Sequence, residues 1–137
     1  MPIPRFARSL TVSCLTIVAL TSGQAQTPAP AQTATQFYMA YRTAFDKATK
    51  VEDLLPFMSA DQKKQIQATP AADRAKMFGM MKIMGTYTDV KVLKEERTGD
   101  GATLTVEGVD PDKKKSTGKI TIVKEGGAWK LGQEFWS

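Results

Sequence analysis

The chain contains no histidine, and its one cysteine, Cys14, sits in an N-terminal segment that reads as a removable leader. The rest of the sequence therefore has neither residue. Disulfides, Cys-His and Ser-His-Asp catalysis, zinc fingers, iron–sulfur clusters and His-ligated haem are excluded for it. Long apolar runs are equally scarce. The longest, Leu10 to Leu20, is too short to span a membrane as a helix. No phosphate-cradling glycine loop and no nucleophile elbow is present.

What is there begins with export. Arg5 and Arg8 form a positive stretch before the apolar run, and TSGQA follows it, with Gly23 and Ala25 at the small-residue positions of a cleavage site. That order predicts a secretory signal over residues 1–25, cut after Ala25, and a periplasmic or secreted mature protein. The rival is an uncleaved anchor. Lipidation of Cys14 does not fit, because a lipoprotein cysteine follows its apolar run and this one lies within it. Losing Arg5 and Arg8 lowers the net charge from +5 to +3. Residues 26–33, QTPAPAQT, have no face to bury and read as a disordered tether. Residues 34–137 remain as a single domain, long enough to bury roughly two thirds of its unfolded surface.

Apolar periodicity divides that domain into a helical half and a strand half. Phe37, Ala40, Tyr41, Ala44 and Ala48 recur at three- and four-residue spacing and predict a helix over 34–48. Thr49 and Glu52 predict a capping box before a short helix through Leu54, Leu55 and Phe57. Ser59 and Gln62 repeat the pattern for a polar helix over 60–67. Thr69-Pro70 opens a last helix, predicted to reach Met84 and stop at Gly85. Beyond Gly85 the period becomes two. Val90 and Val92 alternate in a strand from Tyr87 to Arg97, and Ala102, Leu104 and Val106 in the next. Ile120 and Ile122 mark a third strand. Trp129, Leu131, Gln133 and Phe135 share one face of a fourth. Hairpin-length connections give an α+β fold, an antiparallel sheet with helices on one face.

Several groupings carry possible chemistry. Met77, Met80, Met81 and Met84 fall on one helical face and read first as core between helix and sheet. A deformable pocket wall is the functional alternative. A Cu(I) thioether site would need His or Cys beside them, so no metal is assigned. Gly79 within this helix suggests a close contact or a kink. The early aromatics Phe37, Tyr38, Tyr41 and Phe45 and the late Trp129, Phe135 and Trp136 read as core, or as the lining of a cavity. Stacking on nucleic acid would need basic residues interleaved on the same face, and the strands mix Lys with Glu. Asp46, Asp89, Glu107 and Glu134 are the acids nearest structured faces. They read as surface acids, and the acid–base pair to test is Asp89 with Tyr38 or Tyr41. Lys113 to Lys115 with Lys119 read as a solvated hairpin loop, with contact to an anionic envelope surface as the alternative.

The helix TATQFYMAYRTAFDKATKVEDLLPFMS, the strand YTDVKVLKEE, the hairpin GDGATLTVEG and the closing KITIVKEGGAWKL together resemble the nuclear-transport-factor-two-like superfamily, in particular its small exported bacterial members. The resemblance covers about residues 34–136. It implies a cone, in which a strongly curved sheet wraps a helix and leaves a pocket at the open end. The superfamily includes ketosteroid-isomerase-like and polyketide-cyclase-like enzymes and many non-enzymatic binding or dimerising modules. The expectation is thus an exported, non-catalytic domain without cofactor, holding a small apolar ligand or a peptide, or pairing with a second copy. Phe37, Tyr41, Met77, Met81 and Trp129 are its expected lining. The alternative is a cone-type isomerase, cyclase or hydrolase using Asp89 with Tyr38 or Tyr41.

Overall fold

The computed structural model describes residues 31–137. The expected signal and residues 26–30 of the tether lie outside the described residues. Helix α1 (Ala34–Lys47) starts on a reciprocal cap. The Thr33 hydroxyl accepts from Gln36 N at 3.1 Å, and the Gln36 side chain accepts from Thr33 N at 2.9 Å. Two of the donors that a helix start leaves open are thereby satisfied. Just before it, the Gln32 carbonyl accepts from Trp129 Nε1 at 2.7 Å. The apolar stripe Phe37, Tyr38, Tyr41 and Phe45 is buried, with the Tyr41 ring 6.0 Å from those of Phe45 and Phe57.

A 3-10 helix (Val51–Phe57) follows. Its cap differs from the expected Thr49–Glu52 box, because the helix starts at Val51 and the carboxylate within reach is Asp53. Asp53 accepts from Thr49 N and Lys50 N at 3.0 and 3.2 Å. Glu52 pairs instead with Arg74 at 3.4 Å. Met58 then bridges to Leu131, and Ser59 N donates to Leu131 O at 3.2 Å. Helix α2 (Ala60–Ala68) is capped by Ser59, but the Gln62 side chain donates to Gly132 O at 2.6 Å rather than back to Ser59.

Helix α3 (Ala71–Met84) has Pro70, not Thr69, at its cap position; the Thr69 hydroxyl is occupied donating to Gln65 O at 3.0 Å. The helix ends at Gly85 without a left-handed residue, φ being −96°. Close approach explains this glycine: an added Cβ would lie 2.6 Å from the Phe45 ring. The methionine stripe is not the expected core. Met77 and Met81 are half-buried, whereas Met80, Ile83 and Met84 are 63%, 73% and 72% exposed. The reason is that α1 already covers the sheet, so α3 rests on the 3-10 helix. Gly79 faces open space, with nothing within 4 Å of an added Cβ, so no close contact accounts for it. Gly79→Ala should therefore stabilise the domain by about 0.5–1 kcal/mol, measured by urea unfolding, by lowering the entropy of the unfolded chain.

The sheet is β1 (Thr88–Thr98), β2 (Gly101–Val109), β3 (Lys115–Glu125) and β4 (Ala128–Trp136), antiparallel in the order β1-β2-β3-β4. It is curved and does not close. Ala102, Leu104, Val106, Ile120 and Ile122 point inward and are buried under α1. Residues alternating with them face out, as period two requires. The fourth strand departs from its expected alternation. Ile122 pairs with Leu131, but Thr121 pairs with Gln133, which leaves Gly132 as an extra residue in a β-bulge. Past the bulge the faces exchange. Glu134, opposite Ile120, and Trp136, opposite Gly118, turn inward; Phe135, opposite Lys119, turns out and is 68% exposed.

Candidate functional site

The bulge brings Glu134 beneath α1. Its Oε1 accepts from Tyr38 OH at 2.9 Å, Trp136 Nε1 at 2.9 Å and Arg42 NH1 at 3.4 Å. Tyr38 and Arg42 stand one helical turn apart on α1, so one face of that helix supplies two donors. Arg42, 4% exposed, also donates to Gly85 O at 2.9 Å and Tyr87 O at 3.1 Å, which ties the end of α3 to the start of the sheet. The Trp136 indole stacks on Tyr87 at 3.9 Å between ring centres. Gly108 and Gly118 make room for that indole: an added Cβ would stand 3.2 and 2.9 Å from its atoms.

Around this carboxylate opens a cleft of about 310 Å³, lined by Tyr41, Phe45, Met81, Met84, Gly85, Tyr87, Glu134, Phe135 and Trp136. Glu134 is the one charged side chain of this lining. Its side chain is 16% exposed, against 5% for that of Arg42. The site is therefore an apolar opening over a polar floor, with negative charge and counter-charge both supplied by the protein.

Burial, and then the charge of Glu134, pushes the Tyr38 and Tyr41 phenols well above the ordinary tyrosine range; Arg42 opposes the shift. Both phenols thus stay neutral, and neither offers a phenolate base. A raised native value stabilises the fold while the unfolded phenol also keeps its proton, so this contribution is intact below about pH 10 and lost as pH rises beyond it. Alkaline unfolding should accordingly begin near pH 10, with Tyr38 and Tyr41 ionising only as the domain opens, followed by tyrosine absorbance and circular dichroism together. Tyr38→Phe should shift that transition to higher pH. Ionisation of both phenols with the fold intact would contradict the burial argument.

The sequence-selected residues separate. Tyr41 and Met81 line this cleft. Phe37 and Trp129 line a different depression near the β3–β4 turn, with Pro56, Phe57 and Lys124. Met77 lines neither and packs half-buried against the core. Asp89 is exposed at φ +51°, in a third cleft with Arg42, Asp46 and Lys82. Among the described residues it makes no hydrogen bond to either tyrosine; the carboxylate that meets Tyr38 is Glu134, reached through the bulge. Glu107 faces outward and pairs with Lys115 at 3.5 Å. Lys113 and Lys114 are exposed on a turn closed by Asp110, whose carboxylate accepts from Lys114 N at 2.8 Å.

Among the described residues no cluster of three or more acidic, His or Cys side chains could hold a metal ion, and no helix is long and apolar enough to cross a membrane. Comparison with protein-family models, curated proteins and solved structures finds no match to this chain.

Proposed function

We propose that the chain is an exported, non-catalytic binding domain that holds a small apolar molecule in the cleft over Glu134. The observation that carries this reading is the placement of one hydrogen-bonded carboxylate at the floor of an otherwise apolar opening. Ligand sites combine apolar walls with a few fixed polar groups in this way. Met84 and Phe135 stand 72% and 68% exposed on the rim, and covering such side chains contributes about 1.5–3 kcal/mol each. Met81 and Met84 supply an adaptable wall, whereas the stacked Tyr87–Trp136 pair supplies a flat one. In the same reading, the signal over residues 1–25 directs the domain to the periplasm or out of the cell. Membership of the nuclear-transport-factor-two-like superfamily, with its pocket at the open end of a cone, is part of the same reading.

Native mass spectrometry of the protein purified from its own host tests it. A mass excess that disappears on denaturation is the expected result. An empty monomer overturns the reading. A dimer without a bound molecule overturns the pocket in favour of pairing through the exposed Met80 and Ile83 face of α3.

A further inference from the structure

We infer that the molecule held over Glu134 is uncharged, an apolar body carrying one hydroxyl or amide N–H that donates to Glu134 Oε2. This rests on the binding reading above and specifies the ligand. The two oxygens of the carboxylate are used unequally. Oε1 takes all three donors, from Tyr38, Trp136 and Arg42. Among the described residues none donates to Oε2, although each oxygen of a carboxylate can accept about two hydrogen bonds. The unused oxygen belongs to a side chain that lines the cleft.

Charge decides between kinds of donor. Glu134 already has its cation, because Arg42 lies 3.4 Å away with its side chain only 5% exposed. A ligand ammonium would enter a pair that is already neutral, and would leave water for an apolar cleft without a counter-charge of its own. A ligand carboxylate would face Glu134 directly, a like charge at short range. The nearby phenols stay protonated and change neither balance. Lys82 approaches the Phe45 ring at 4.8 Å, but its ammonium donates to the carbonyls of Phe45 and Asp46 at 2.6 and 3.3 Å. A neutral donor completes the carboxylate and disturbs no charge. A neutral acceptor, such as a ketone, leaves Oε2 unfilled and sets two acceptors against each other.

Four probes of similar size separate these cases: n-octanol, methyl hexyl ketone, octanoate and octylammonium. The readout is the indole N–H resonance of Trp136, which sits on the same carboxylate. The Trp129 indole, bound to Gln32 O at the far end of the strand, serves as internal control. The expected result is a saturable shift of Trp136 alone, with n-octanol binding roughly tenfold tighter than each of the other three. In Glu134→Gln the group facing the cleft becomes able to donate, so the preference for n-octanol over the ketone should fall below about threefold. Either ion binding as tightly as n-octanol, or an octanol preference undiminished in Glu134→Gln, overturns the inference and leaves the pocket standing. Failure of every probe to move Trp136 overturns the pocket itself. The wild-type comparison decides the ligand class without the variant, should that variant not fold.

Discussion

Replacing Arg42 with leucine is expected to lower the unfolding free energy by about 3 kcal/mol and the melting temperature by about 15 °C. The substitution keeps much of the apolar stem but deletes a guanidinium that serves three acceptors. Glu134 would be left with no cation beside it, and the carbonyls of Gly85 and Tyr87 would lose donors at 2.9 and 3.1 Å. Removing one member of a buried pair is costly chiefly because the other is left behind. The double variant Arg42→Leu with Glu134→Leu should therefore be more stable than Arg42→Leu alone, with a coupling above about 1 kcal/mol. Calorimetry of the four proteins of this cycle measures it. Additive losses would show that the pair is screened by water and that the cleft floor is not an apolar environment.

Adding side-chain volume at Gly118 should have the next largest effect. A Cβ there would meet Val106 Cγ2 at 2.8 Å, Trp136 Cδ2 at 2.9 Å and Phe135 O at 3.0 Å. The last contact is backbone and cannot swing away. Gly118→Val is expected to cost about 2–3 kcal/mol through overpacking. It should also push Trp136 off Tyr87 and out of reach of Glu134, which shifts tryptophan emission to the red. Unchanged emission together with full stability would mean that the indole does not occupy the space between Gly108 and Gly118. The opposite sign expected for Gly79→Ala makes the pair of glycine variants a test of packing rather than of glycine replacement in general.

The parts of the fold legible in the sequence are those where one face is buried and the period runs unbroken. The stripe Phe37, Tyr41, Phe45 specifies α1, and Leu104 with Val106 against Thr103 with Thr105 specifies β2; both elements lie close to the expected limits. Local patterning does not say how many layers a domain has. The methionines of α3 have the spacing of a core helix, yet α1 has already taken the sheet face, so half of them stand in solvent. Nor does helical or strand spacing say which end of the molecule a residue occupies. Phe37 and Tyr41 share one face of α1 but open onto different depressions. The carboxylate of the site was hidden by a change of parity. Strict alternation from Trp129 puts Phe135 inside and Glu134 outside, and the structure has them reversed. The available signal was Gly132, since glycine within an otherwise regular strand often marks a bulge. Gly108 and Gly118, small residues on an otherwise bulky inner face, were a second sign that something large comes to rest there.

Gly132 also bears on how such a domain arises. Were that residue paired in an unbroken pleat, the Phe135 ring would swing under α1 and the Glu134 carboxylate would turn to solvent, so hydrocarbon would fill the cavity. A one-residue slip of register at this point thus separates a filled core from an open cleft. Such a slip moves every later residue of the strand at once, from the outer face to the inner or back.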